Sequence, residues 1–120
     1  VLSYTTLSSL RRVKSLASKS VTTPIAMEVT QVLGGIPSLT AAIVVITGLI
    51  GAIIGFKTLS IGHVNNPMAL GLSMGAASHA LGTSTAMERD QFVGAYASLG
   101  LTLNGILTAL LTPTVIELMG

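Results

Sequence analysis

The sequence predicts an all-α membrane protein, a polytopic bundle of transmembrane helices with broken or re-entrant half-helices and an internal repeat. Three observations predict it. Only 8% of the 120 residues are Asp, Glu, Lys or Arg, where a soluble domain carries about a quarter. Those few charges sit at the edges of long uncharged stretches. Inside the stretches the polar residues are mostly hydroxyls, glycines and a histidine. A soluble domain covers much of its surface with charge, whereas a helix in lipid can be apolar on every face.

Residues 1–19 form a basic membrane flank or loop, holding Arg11, Arg12, Lys14 and Lys19, four of the six basic residues. Taken as a local cue, the positive-inside rule would put this flank in the cytoplasm. The chain starts at Val1 and lacks the basic-then-apolar order of a signal peptide, so a piece of a longer protein is expected, with further helices or oligomerisation completing the bundle. Residues 20–120 form the transmembrane domain. Its first segment, 21–33, is too short and polar to span comfortably, with Thr22, Thr23, Glu28, Thr30 and Gln31, and is read as a half-helix. After the break at Gly34, Gly35 and Pro37, residues 39–56 form an uncharged span of 18 residues, about 27 Å as a helix and close to the hydrocarbon thickness. Lys57 to Asn66 returns to a membrane surface, and Pro67 starts a new helix. Residues 67–86 are long enough to span but rich in glycine and hydroxyls, which predicts a broken or tightly packed helix. Glu88, Arg89 and Asp90 mark a charged connection, with Glu88 expected in a solvated loop, and residues 91–116 form the last span. Small residues four apart (Gly48 and Ala52, Gly51 and Gly55, Gly71 and Gly75) permit close helix contact.

Composition also excludes functions. Two Tyr, two Phe and no Trp leave no stacking platform for nucleic acid. No cysteine is present, so thiolate metal sites and Cys nucleophiles are out. No Gly-x-Ser-x-Gly or Walker pattern occurs and no metal or cofactor motif is found, so the chain reads as a non-enzyme.

Shifting the sequence by 60 residues aligns Thr23, Ala26, Met27, Glu28, Gln31, Gly34, Ser38, Leu39 and Ile46 with the same residue types at Thr83, Ala86, Met87, Glu88, Gln91, Gly94, Ser98, Leu99 and Ile106. The repeat units are approximately 20–58 and 80–118, each a polar short segment followed by a span. Paired half-helices of this kind meet near the bilayer midplane, where free N–H groups and positive dipole ends receive an anion. Whether the two copies are inverted does not follow from the sequence.

A polar residue retained within a membrane helix asks for a partner or a purpose. Candidate substrate-binding residues are Thr22, Thr23, Ser78, His79, Thr83 and Ser84. The hydroxyls can donate to an anion; their ordinary role is to bond back to helix carbonyls. A neutral His79 ring could donate to a carboxylate and titrate near neutrality; the alternative is a structural histidine bonded to a neighbouring helix. Lys19 could attract an anion or simply anchor at the interface. Glu28, like His79, could couple movement to protons. Asn104 in the last span reads as an interhelical hydrogen-bonding residue.

Lys19-Ser20-Val21-Thr22-Thr23-Pro24-Ile25-Ala26-Met27-Glu28 and Gly34-Gly35-Ile36-Pro37-Ser38-Leu39-Thr40-Ala41 closely resemble the signature of the LrgB/CidB membrane family. Gly75-Ala76-Ala77-Ser78-His79-Ala80-Leu81-Gly82-Thr83 and Leu103-Asn104-Gly105-Ile106-Leu107-Thr108-Ala109-Leu110 resemble two further family motifs. Together they cover most of residues 19–112, and family members of about twice this length imply that the chain is the C-terminal half. The resemblance implies two functions. One is antiholin-like or holin-like control of murein hydrolase export and lysis, exerted with a small LrgA/CidA-like partner. The other is transport of small carboxylates, including pyruvate and, in plastids, glycolate and glycerate. The repeat and half-helices favour transport of a small organic anion, by a multi-pass homo-oligomer in a bacterial inner (cytoplasmic) membrane.

Overall fold

A computed structural model describes residues 4–119, which form α1 (Tyr4–Leu16), α2 (Thr23–Val32), α3 (Pro37–Ile61), α4 (Pro67–Arg89) and α5 (Gln91–Met119). The first three residues of the basic flank and the last of the transmembrane segment lie outside the described residues. With 25 and 29 residues, α3 and α5 are about 37 and 43 Å long, more than the roughly 30 Å of hydrocarbon in a bilayer. Only 17% of the apolar window of α3 and 11% of that of α5 is buried, whereas the core helix of a soluble protein is mostly buried. Ile53 and Leu110 are 78% and 67% exposed, so the outer faces of both helices are fit for lipid or for other helices.

Local chemistry sets most helix ends. In α2 the chain stops at Gly34, whose φ of 74° lets the Gly35 N–H reach back to the Thr30 carbonyl at 2.9 Å. The Asn66 Oδ1 accepts from the Met68 and Ala69 N–H groups at 2.9 and 3.4 Å, with Pro67 at the first helical position, where its missing N–H costs nothing. Asp90 does the same for α5, its Oδ1 accepting from Phe92 and Val93 at 2.8 and 3.1 Å.

The feature that organises the chain is inside α4. Ser78 (φ −123°, ψ 17°) and His79 (φ 41°, ψ −137°) leave the helical region, dividing α4 into a first limb, residues 67–77, and a second limb, residues 80–89. The limbs fold back on one another. Met74 of the first and Ala86 of the second join Val93 and Ala97 of α5 in one buried cluster, and a side chain at Gly82 would strike the Met74 carbonyl oxygen at 2.6 Å. Along the first limb, Gly71 meets Val93 and Ala97, and Gly75 meets Ala97 and Leu101, so that limb runs parallel to α5. The second limb runs antiparallel, with Thr83 near Ala97 and Met87 against Gly94. The turn at Ser78 and His79 therefore lies about halfway along α5.

At the other end of the chain, α2 lies against α3 through Val21, Ala26 and Val44, with Ile25 packed on them. The polypeptide between α1 and α2 enters this layer in short turns, with the N–H groups of Ala17, Lys19 and Val21 each bonding three residues back. The Arg89 guanidinium sits 4.4 Å over the Phe56 ring, pinning the end of α4 to the end of α3.

Several boundaries differ from the sequence reading. The flank is helical from Tyr4 to Leu16 rather than a loop: it has neither Gly nor Pro, and Ser8, Ser9 and Ser15 bond back to carbonyls three or four residues earlier. No breaker follows Phe56 until Gly62, so α3 continues through Lys57 to Ile61. Glu88 is exposed but helical, because α4 ends only at Asp90. In α5 the helix passes through Pro113 and extends to Met119. The break in α4 falls at a Ser-His pair, while Gly71, Gly75 and Gly82 stay helical and serve close approach.

The glycines differ in what a methyl group would meet. At Gly75 it would overlap the Ala97 carbonyl, which is backbone; at Gly55 it would meet only the flexible end of Met74, Sδ at 2.6 Å and Cε at 3.0 Å. We predict that Gly75→Ala lowers stability by about 1–3 kcal/mol, seen as an earlier midpoint in detergent-denaturant unfolding, and that Gly55→Ala lowers it less.

Candidate functional site

Two polar turns are brought together halfway along α3 and α5. The first is the approach to α2, residues 19–23; the second is the break in α4. Asn104 joins them: its Nδ2 donates to the Ser20 carbonyl and to the Ala76 carbonyl, 2.9 Å in each case. Each acceptor lacks its helical donor for a local reason. The N–H that would serve Ser20 belongs to position 24, which is proline, and the helix that would have served Ala76 from position 80 is broken at Ser78 and His79. One side-chain amide thus satisfies both interruptions.

His79 ties the second turn to α3. Its Nε2 lies 2.7 Å from the Val44 carbonyl, and a carbonyl only accepts, so Nε2 carries the hydrogen and donates. The ring reaches that carbonyl because position 48 is glycine; a Cβ there would collide with it. Val44 in turn packs on Val21 and Ala26, so one residue of α3 touches both turns. The sequence suggests a neutral ring donating to a carboxylate. In this geometry the Nε2 donor is already engaged, and a neutral ring has only an acceptor left at Nδ1.

The remaining predicted residues separate into those with partners and those without. The Thr83 hydroxyl is buried and donates to the His79 carbonyl at 2.9 Å. Thr22 caps α2 by backbone conformation (φ −60°, ψ 147°) without a side-chain capping bond, and it and Thr23 are half-buried. Lys19 is exposed, with Nζ donating to the Ser20 hydroxyl at 3.0 Å. Ser78 is buried, whereas Ser84 is exposed on a different face of the second limb. Glu28 is likewise exposed, away from the buried face of α2 made by Ala26, Val29 and Thr30.

Sequence reasoning missed a buried hydroxyl brace at the base of α3. Ser18 donates to the Ala26 carbonyl at 3.1 Å and lies 3.2 Å from the Thr30 hydroxyl. Thr30 and Thr40 are 2.9 Å apart, and Thr40 donates to the Ser15 carbonyl at 2.9 Å. The Ile36 N–H completes it on the Ser15 hydroxyl at 2.8 Å. These residues come from α1, the entry turn, α2 and α3, and no spacing links them in sequence.

The description of the LrgB-like family matches residues 2–118. An uncharacterized protein of Haemophilus influenzae is 47% identical over 107 residues, covering 89% of this chain and 46% of the relative. A holin-like protein CidB of Staphylococcus epidermidis is 38% identical over 122 residues, covering 98% and 53%. The protein of that name from Staphylococcus aureus is 38% identical over 104 residues, covering 87% and 45%. The chain spans about half the length of these relatives. No solved structure matches.

Removing the amide that serves both turns leaves two part-buried carbonyls without a side-chain donor. Hydrogen bonds within membrane helices contribute about 0.6 kcal/mol on average and at most about 1.7. We predict that Asn104→Leu costs about 1–3 kcal/mol in the same unfolding measurement, while Thr102→Val, which loses only an exposed bond back to Ser98, changes it little.

Proposed function

The chain belongs to the LrgB-like family, and on that footing we propose that it is part of a membrane transporter of small organic anions, monocarboxylates such as pyruvate or glycolate, in a bacterial inner membrane. The observation that carries this reading is the junction of two polar turns halfway along two apolar helices, held by Asn104. Each turn starts a short helix. From its turn α2 runs toward the start of α3, where Thr30 meets Thr40; the second limb of α4 runs from its turn toward the end of α3, where Arg89 covers Phe56. Their N-termini thus approach the middle from opposite ends, and each brings free N–H groups and a positive dipole end. Helix direction favours an inverted repeat, since α3 and α5 also run antiparallel: Val44 lies at the depth of Asn104, and Phe56 near the start of α5. Such repeats are a common plan for secondary transporters.

A second reading rests on the relatives named holin-like and on the broad exposed apolar faces of α3 and α5. In it the protein regulates murein hydrolase export and lysis as a homo-oligomer or with a small LrgA/CidA-like membrane partner. That role needs packing faces but no polar junction.

Uptake of radiolabelled pyruvate and glycolate into proteoliposomes separates the two. We predict saturable uptake by the full-length protein that falls about tenfold or more, a loss of at least about 1.4 kcal/mol, in well-folded Thr23→Val and His79→Ala. Absence of uptake under any gradient, with lysis phenotypes intact, selects the regulatory assembly.

A further inference from the structure

Between α3 and the first limb of α4 lies a cavity of about 300 Å³, large enough for a small ligand. Ser78, at the α4 break, lines it together with Thr47, Ile50, Ile54, Ser73 and Ala77. Ser78 is 3% exposed, yet among the described residues its hydroxyl makes no hydrogen bond. No polar side-chain atom that is fully cut off from solvent lacks a partner among them, so the Ser78 hydroxyl keeps its small exposure toward this space. Gly51 makes room for it; a Cβ there would overlap Ser78 Oγ.

Helical serine and threonine usually bond back to a carbonyl one turn earlier, and Thr58, Thr83, Thr85, Ser98 and Thr102 do so here. Thr47 and Ser73 do not, and like Ser78 they make no hydrogen bond among the described residues. Three uncommitted hydroxyls therefore line one cavity whose other walls include Ile50, Ile54 and Ala77. The second limb of α4 begins directly after this point and adds the positive end of its dipole. A charged group in the lining would fix a permanent counter-ion; hydroxyl donors suit a single anionic head that must also leave.

We propose that this cavity holds the organic anion, with its carboxylate on the hydroxyls of Ser78, Thr47 and Ser73 and a short apolar chain along Ile50 and Ile54. The proposal rests on the transport reading and moves the binding place from Thr22, Thr23 and His79 to the α3 side of the break, with His79 tying the turn to α3. Longer polar solutes, such as dicarboxylates or sugars, would leave polar groups against isoleucine and fit poorly.

Because the chain has no cysteine, Ala77→Cys places one thiol in the cavity wall, and Ser84→Cys places one on a different, exposed face. The full-length protein, free of other cysteines, is reconstituted in liposomes, and the rate of modification by a small methanethiosulfonate reagent is measured with and without pyruvate. The expected result is severalfold protection of Ala77→Cys, none of Ser84→Cys, and loss of protection when Ser78→Ala is added. Thr58→Cys, elsewhere in the same lining, provides the same reading should Ala77→Cys fold poorly. Unprotected or unreactive thiols at 77 and 58, with pyruvate uptake intact, overturn the cavity and leave the transport reading standing. Protection without uptake by the wild type upholds the cavity as a binding site and overturns transport.

Discussion

A helix that breaks inside a packed bundle frees carbonyls that must find other donors. This constraint governs the fold. The break at Ser78 and His79 frees the Ala76 carbonyl, Pro24 deprives the Ser20 carbonyl of its helical N–H, and the Asn104 amide meets both at 2.9 Å. His79 then fastens the same turn to α3 through the Val44 carbonyl. Asparagine suits a position between two carbonyls because its NH₂ offers two hydrogens from one nitrogen, without a charge to bury. An interruption that would be costly in isolation becomes a fixed junction.

Close packing follows from the same junction. Apolar side chains gain little by leaving lipid for protein, so helices associate through van der Waals contact and short polar bonds. Gly48, Gly51 and Gly55 along α3 each receive an α4 residue, respectively His79, Ser78 and Met74, while Gly71 and Gly75 take the backbone of α5. One face of α3 is therefore shaped around the break. Its other face keeps Ile46 and Ile53 exposed.

The two long apolar helices, the helix start at Pro67 and the position of both polar turns were legible in the sequence, because apolar length, proline, glycine and clustered hydroxyls act locally. What local signals do not carry is direction. Nothing in residues 67–89 states that the chain reverses there; that follows from the positive φ of His79 and from Met74 and Ala86 sharing one cluster. Nor does the sequence tell a hydroxyl with a partner from one without. Thr83 and Ser78 look alike on paper, but one has the His79 carbonyl in reach and the other has open space. The sequence offered a bond from His79 to a neighbouring helix as one alternative, but not which backbone atom, 35 positions away, would receive it. The hydroxyl brace of Ser15, Ser18, Thr30 and Thr40 joins four separate segments and has no sequence period at all.

Positions 60 residues apart differ in how their hydroxyls are held. Ser18 and Ser78 stand that far apart, each in the turn before a short helix. Around Ser18 every neighbour is committed: the hydroxyl donates to Ala26 and meets Thr30, which meets Thr40. Around Ser78 the corresponding places are held differently. Position 75 is glycine where position 15 is serine, and position 100 is glycine where position 40 is threonine, and both glycines are filled by helix backbone, Ala97 and Leu72. With no hydroxyl brace on its side, Ser78 is left facing the cavity against α3. The first turn is closed by its own side chains, and the second is closed by backbone packing that leaves a donor over. The hydroxyl left without a partner therefore lies on the α4 side of the junction.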